Sequence, residues 1–192
     1  MKKPARISVI GPEAAGKTEL AHILATQFNG IATEEYARVY FRQRHLAANH
    51  VLSLAEMCDV MRGQQRIEAE ASGVVFIDAG TVHGPIYAAM QHNAEGIATF
   101  DWQHTAPEIM DYAVNGRYDA FIICYPHKAL GWQNDGMRSM PDYADRNAFA
   151  DACTAFVAQH YAEKPCIVVN AATWPARAMQ AIDGIRKQTG ML

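Results

Sequence analysis

Eight residues, Gly11-Pro12-Glu13-Ala14-Ala15-Gly16-Lys17-Thr18, constrain this chain more than anything else in it. Their spacing is G-x-x-x-x-G-K-[ST], in which the glycines let the backbone wrap until successive N–H groups converge on one point. The run before them, Arg6 to Ile10, is short and β-branched and reads as a buried strand. After them Leu20, Ile23, Leu24 and Phe28 recur at helical spacing, and Asn29-Gly30 closes the helix. A strand, a tight loop and a helix N-terminus in that order form an anion site, because the positive end of the helix adds to the converging amides. The expected ligand is a nucleoside triphosphate, with Lys17 reaching its β- and γ-phosphates and the Thr18 hydroxyl on Mg²⁺.

The rest of the chain supplies strands and helices in alternation. Ile31 to Glu34 reads as a weaker second strand, followed by a helix from about Glu35 to His45. Ser53-Leu54-Ala55-Glu56 is a capping box that opens a helix ended by Gly73. Val74 to Asp78, Ala120 to Cys124 and Cys166 to Val169 are continuous apolar runs, the pattern of strands covered on both faces in a parallel sheet. Phe149, Ala152, Phe156 and Val157 give one helix its face, and a last helix runs from about Pro175 to Lys187. The expected fold is a three-layer α/β/α sandwich on a parallel five-stranded sheet.

The 192 residues suit one domain. With 17 basic and 20 acidic groups, the net charge of −3 lacks the basic excess of a nucleic-acid binder. The four cysteines are far apart with no C-x-x-C pair, which argues against a zinc or redox motif. No stretch approaches the roughly 20 apolar residues of a membrane span. The expectation is a cytoplasmic protein whose partner is a small molecule rather than nucleic acid or a membrane.

Phosphoryl transfer also needs groups on the acceptor side. Asp78 ends an apolar strand, as the Mg²⁺-side carboxylate of P-loop proteins does, although an Asp there can equally cap a helix. Thr33-Glu34-Glu35-Tyr36-Ala37-Arg38 falls where the second strand ends, at the sheet edge where ligands bind in open α/β folds. Glu35 is the first candidate for the base and Glu34 its rival. Arg38, three residues beyond Glu35, shares its side of a helix. The polar loop His127 to Asp142 carries Trp132-Gln133-Asn134-Asp135-Gly136-Met137-Arg138. Arg138 there can neutralise charge on a transferred phosphoryl group, while Asp135 either orients it or turns the loop.

Taken together, the chain resembles the ribosylnicotinamide kinase domain of the bifunctional NAD-salvage proteins, among the AAA-like P-loop kinases. That family's G-x-E-S-S-G-K-[ST]-x-L is matched by Gly11 through Leu20, with alanines at Ala14 and Ala15 in place of serines. Its E-Y-x-R is matched by Glu35-Tyr36-Ala37-Arg38, its Q-R pair by Gln65-Arg66, and its W-x-x-D-G-[LM]-R loop by residues 132–138. The family's F-I-D-T-D strand end departs here to Phe76-Ile77-Asp78-Ala79-Gly80, so Gly80 stands where a second carboxylate is usual.

The resemblance implies a P-loop NTPase fold of the nucleoside/nucleotide kinase type spanning residues 1–192, with a lid-like loop at about 127–142. It implies transfer of the γ-phosphoryl group of ATP to a nucleoside 5′-hydroxyl, that of nicotinamide riboside. Lys17, Glu35, Asp78 and Arg138 would be catalytic. Gly11, Glu13, Ala14, Ala15 and Gly16, with Lys17, Thr18 and Leu20, would bind the nucleotide, and Thr18 and Asp78 the metal. Glu35, Tyr36, Arg38, Gln65, Trp132 and Asp135 would bind the acceptor. The alternatives are a P-loop switch or binding module, or a kinase of another nucleoside or small metabolite. A GTP switch would carry N-K-x-D after a strand, and neither Tyr125-Pro126-His127-Lys128 nor Asn170-Ala171-Ala172-Thr173 fits it.

Overall fold

The structure, a computed structural model, describes residues 5–47, 50–92, 107–131, 140 and 142–190. Five strands are described: β1 Ala5–Ile10, β2 Ile31–Thr33, β3 Val74–Asp78, β4 Ala120–Cys124 and β5 Cys166–Val169. All pair in parallel, in the order β2-β3-β1-β4-β5. The helices are α1 Lys17–Gln27, α2 Tyr36–Gln43, α3 Leu54–Glu70, α4 His83–His92, α5 Pro107–Val114, α6 Tyr143–His160 and α7 Trp174–Thr189.

The alternation of strand side chains divides the core in two. On one face Ile7, Val9, Phe76 and Ile122 pack under α1 and α7, against Leu24, Phe28, Ile182 and Ile185. On the other, Ile10, Val75, Ile77 and Ile123 pack under α4 and α6, against Ile86, Phe149 and Val157. A third cluster joins α2, α3 and α5 through Tyr40, Met57, Met61 and Ile109. This is the three-layer sandwich with a parallel five-stranded sheet that the sequence predicts.

Several boundaries differ from the sequence reading for local reasons. β2 stops at Thr33 and Glu35 becomes the N-cap of α2 in an extended conformation, so the helix proper starts at Tyr36. The capping box of α3 is present: the Ser53 hydroxyl accepts from the Glu56 N–H, and the Glu56 carboxylate accepts from the Ser53 N–H. Helices α4 and α5 are additions, since the sequence reading assigned nothing between β3 and β4. Within the loop read as 127–142, a 3-10 turn occupies Lys128–Leu130, and Asp142 caps α6 by accepting from the Ala144 N–H. Among the described residues no helix is long and apolar enough to cross a membrane.

The topology fixes where a ligand can go. From β1 the chain crosses to β2 on one side of the sheet, and from β3 it passes back over β1 to β4 on the other. The crevice opens at the carboxyl ends of β1 and β3, where neighbouring strands diverge to opposite sides.

Candidate functional site

Val9 pairs with Asp78, so the loop leaving β1 and the end of β3 emerge side by side. In that loop Ala14 and Gly16 have positive φ, 56° and 77°, and Gly16 caps α1 in the left-handed conformation. Two distant side chains hold the loop. His83 at the start of α4 accepts the Gly11 N–H on its Nε2 at 3.0 Å. Arg177 of α7 donates to the Ala15 carbonyl at 3.1 Å, to the Tyr125 carbonyl at 2.5 Å and to the Ala171 carbonyl at 2.9 Å. The Arg177 residue is 1% exposed, so its charge is spent on carbonyls that would otherwise be buried without donors.

The Lys17 ammonium lies in the cleft and donates to the Pro12 carbonyl at 2.9 Å. Thr18 donates from its hydroxyl to Asp78 Oδ2 at 2.5 Å. The other Asp78 oxygen, Oδ1, is buried and has no hydrogen-bond partner among the described residues. Burial raises the Asp78 carboxyl to about 6, and the Glu35 carboxylate across the cleft adds to that; Lys17, the Thr18 bond and Arg38 pull the other way. Burial, and then the Lys17 charge, hold the His83 imidazole well below its ordinary range, so it is neutral.

This donor set fits Mg²⁺. A buried carboxylate oxygen without a partner stands beside a threonine hydroxyl, and the described residues hold no cluster of three or more His, Cys, Asp or Glu groups. Mg²⁺ is usually held by one or two protein groups, with water and phosphate oxygens completing the shell.

Two cavities meet at Glu35. The larger, about 620 Å³, runs from Glu13, Gly16 and Lys17 past Glu35 and Arg38 to an apolar end formed by Phe41, Leu52, Met57, Met61 and Tyr87. The smaller, about 510 Å³, lies between Thr18, Thr33, Glu34, Glu35, Arg38 and Asp78. The Glu35 side chain is 18% exposed, and its Oε2 accepts from Arg38 Nε at 3.3 Å. Its neighbour Glu34 is turned to an ion pair with Arg42 on the surface. At the mouth of the large cavity His50 contacts both oxygens of Glu56, at 3.1 and 3.2 Å, and stands edge-on to Phe41.

The placements differ in three cases from those implied by the family resemblance. Leu20 packs in the core under the sheet, 3% exposed, and lines neither cavity. Gln65 lies on the exposed face of α3; its neighbour Gln64 lines the cavity instead. One residue along a helix turns the side chain by about 100°, and the burial of α3 follows Met57, Val60, Met61 and Gln64. The Tyr36 ring packs against Gly63 rather than lining the cavity. Trp132, Asp135 and Arg138 lie outside the described residues.

Trp174 and Arg177 of the site escaped the sequence reading as functional candidates. The Trp174 ring lies against Gly16, in the space a side chain there would fill, and lines the cavity while remaining 41% exposed. Its signal was available, since an aromatic at the first position of the helix after the last strand falls at the same sheet edge as the P-loop.

A P-loop facing a strand-end carboxylate, on a parallel sheet of this order, defines the P-loop fold of the nucleoside and nucleotide kinases. The family profile described as AAA domain matches residues 6–177, and the chain belongs to that family. No curated protein matches the sequence. Among solved structures, NadR in complex with NAD and AMP-PNP is 20% identical with a TM-score of 0.77, over 98% of this chain and 50% of that one. NadR in complex with NR is 22% identical with the same TM-score, over 98% and 52%. This chain therefore spans about half the length of the NadR chains it matches. Deoxyadenosine kinase from M. mycoides with bound dCTP is 13% identical with a TM-score of 0.63, over 95% and 99%.

Proposed function

We propose that the protein is an ATP- and Mg²⁺-dependent kinase that phosphorylates the 5′-hydroxyl of a nucleoside, with nicotinamide riboside as the first candidate acceptor. The observation that carries this reading is the large cavity. One end is a P-loop with its lysine, the middle holds Glu35, and the far end is an apolar pocket of Phe41, Leu52, Met57, Met61 and Tyr87. A triphosphate fits the first part and a flat ring the last, which leaves the sugar hydroxyl beside the carboxylate. Glu35 in the middle, and the Glu56 carboxylate held by His50 of the cavity wall, supply negative charge, which suits a cationic pyridinium. The NadR complexes, which hold NR or NAD with AMP-PNP, support that choice of acceptor.

In the proposed step Glu35 takes the proton of the acceptor hydroxyl as its oxygen bonds to the γ-phosphorus. The bond from that phosphorus to the β–γ bridging oxygen breaks, and ADP carries the electron pair away. The P-loop amides and Lys17 hold the β- and γ-phosphates in line. Thr18 and Asp78 would hold the Mg²⁺, which when bound neutralises charge on the phosphates. Arg38 keeps the Glu35 carboxylate turned inward. Arg138 is assigned by the sequence motif to the developing charge on the transferred group.

A second reading rests on the shared fold. The deoxyadenosine kinase shares this fold with a TM-score of 0.63, which keeps a kinase of another nucleoside in play. ADP release measured with nicotinamide riboside, purine and pyrimidine nucleosides separates the two. Glu35→Gln, tested with whichever acceptor responds, should leave ATP affinity intact and lower turnover about 100-fold, the scale of a general base. ADP release that no acceptor accelerates sinks the kinase reading and leaves a P-loop switch.

A further inference from the structure

The first helical residue of α2 is docked on α3 by two adjacent positions. The Tyr36 N–H donates to Gln64 Oε1 at 2.9 Å. The Tyr36 ring lies so close to Gly63 that a Cβ there would sit 2.0 Å from its Cε1. Glu35, the N-cap of α2, makes no side-chain capping bond, so Gln64 provides what the cap does not.

Gln64 is itself held from behind. Its Nε2 donates to Glu68 Oε1 at 3.2 Å, and Tyr118 donates its hydroxyl proton to the same oxygen at 3.1 Å. The Tyr118 oxygen accepts the Thr81 N–H at 2.8 Å and lies 2.7 Å from the Thr81 hydroxyl. Tyr118 has one proton, which goes to Glu68, so the Thr81 hydroxyl donates. The chain of donors has a single consistent sense, and it fixes the Gln64 amide: nitrogen to Glu68, oxygen to Tyr36. Gln64, Glu68, Tyr118 and Thr81 are each at most 4% exposed. Burial pushes the Glu68 carboxyl above its ordinary range, against the bonds from Gln64 and Tyr118 and the charge of Arg6.

The two ends of this chain lie on the two walls of the cleft. Tyr36 follows Glu35 directly, and Thr81 stands three residues after Asp78, in the turn that leads to His83 and so to the P-loop. We infer that Gln64, Glu68, Tyr118 and Thr81 act as one positioning unit that holds the Glu35 wall of the cleft in fixed relation to the Asp78 wall. None of them is given a chemical step. Buried polar groups of this kind are costly unless all are satisfied, and here the satisfied set spans both walls. This inference rests on the proposed kinase reading for its effect on turnover, and on structure alone for its effect on α2.

Tyr118→Phe is the informative variant, because Tyr118 does not line the cavity and its ring contacts with Phe121 and Tyr161 survive. With ATP, Mg²⁺ and nicotinamide riboside, it should lower kcat about 10-fold while the ATP dissociation constant stays within twofold. Glu68→Gln keeps an oxygen for both donors and should retain turnover near wild type; Glu68→Leu should lose it as Tyr118→Phe does. Gln64→Leu combined with Tyr118→Phe should be no worse than the poorer single variant, as expected of residues acting as a unit. In parallel, exchange of the Tyr36 amide hydrogen, followed by NMR, should accelerate in both Gln64→Leu and Tyr118→Phe. Wild-type turnover in Tyr118→Phe, or losses that multiply in the double variant, overturns the inference. If wild-type protein does not phosphorylate nicotinamide riboside, the choice of acceptor fails, and the amide exchange still decides the positioning: an unchanged Tyr36 rate in Tyr118→Phe overturns it.

Discussion

Asp78→Asn should make the ligand-free protein more stable and disable it. The folded Asp78 carboxyl titrates at about 6 instead of 3.8, first because it is buried and second because Glu35 faces it. Each pKa unit is worth about 1.4 kcal/mol, so at pH 8 the charged side chain costs the fold about 3 kcal/mol. The sign follows from proton counts. Between pH 3.8 and 6 the folded state holds a proton at Asp78 that the unfolded state has released, so stability falls as pH rises through that window. The cost is complete above pH 6 and only about 0.5 kcal/mol at pH 4.

Asparagine cannot ionise, and its oxygen still accepts from the Thr18 hydroxyl. The amide nitrogen introduced at the Oδ1 position, where no partner stands, gives back about 1 kcal/mol, leaving a net gain of about 2 kcal/mol at pH 8. For a chain of 192 residues that is a rise in Tm of about 4–8 °C. Thermal unfolding at pH 4 and pH 8 without nucleotide measures it, with the gap between variant and wild type nearly closed at pH 4. Added ATP and Mg²⁺ should then stabilise wild type much more than the variant, because the variant has lost the carboxylate that would meet the metal. A variant less stable than wild type at pH 8, or a gap that does not change with pH, would refute the reasoning.

Three further outcomes are expected. Lys17→Ala should raise the ATP dissociation constant at least about 10-fold in a protein that still melts cooperatively, measured by titration calorimetry, since its loss removes a charged phosphate contact worth about 1.5–3 kcal/mol. Trp174→Ala should weaken ATP about 10-fold, the scale of one stacked base, yet leave the affinity for inorganic tripolyphosphate unchanged; equal losses for both would mean that the ring supports the loop rather than the base. Gly80→Asp, which restores the acid of the resembling family, should cost about 2 kcal/mol or more in denaturant unfolding, because Gly80 has φ 64° and a Cβ there would lie 2.5 Å from Ser8 Oγ and 3.0 Å from the Tyr118 oxygen. Unchanged stability in Gly80→Asp would show that the turn adapts.

What the sequence made legible was what backbone chemistry dictates. The P-loop could be read because its glycine and lysine spacing is required by where amides must point, and β3 and β4 because strands buried on both faces read as continuous apolar runs. The start of α2 was readable to within two residues. Gln64 was not, because a motif matched by order alone cannot tell which of two adjacent glutamines faces inward, and only the packing of Met57 and Met61 decides it. Arg177 was invisible for a different reason. Its three partners are carbonyls at Ala15, Tyr125 and Ala171, and one of them is 162 positions away in the chain. Helix α4 was missed because its start, Thr81 to Gly84, carries the small and polar residues of a turn, although His83 and Ile86 are buried.

The same division runs through the site itself. The nucleotide half is made of main-chain amides on a loop pinned by Arg177 and His83 and rooted in the sheet, so its geometry survives changes in most side chains. The proposed acceptor half is lined by side chains: Glu35 and Arg38 at the start of α2, Phe41 on the same short helix, and Leu52, Met57 and Met61 from the segment opposite. Helix α2 has eight residues and few contacts with the sheet, so its position depends on where α3 receives it, at Gly63 and Gln64. Substitutions at Phe41, Leu52 or Met57 can therefore reshape the acceptor pocket without disturbing the phosphates. Substitutions at Gly63 or Gln64 shift the whole acceptor wall, Glu35 included. On the proposed kinase reading, acceptor choice and catalytic alignment would be set by different residues of the same small helical cluster, and a change of acceptor would not require a change of mechanism.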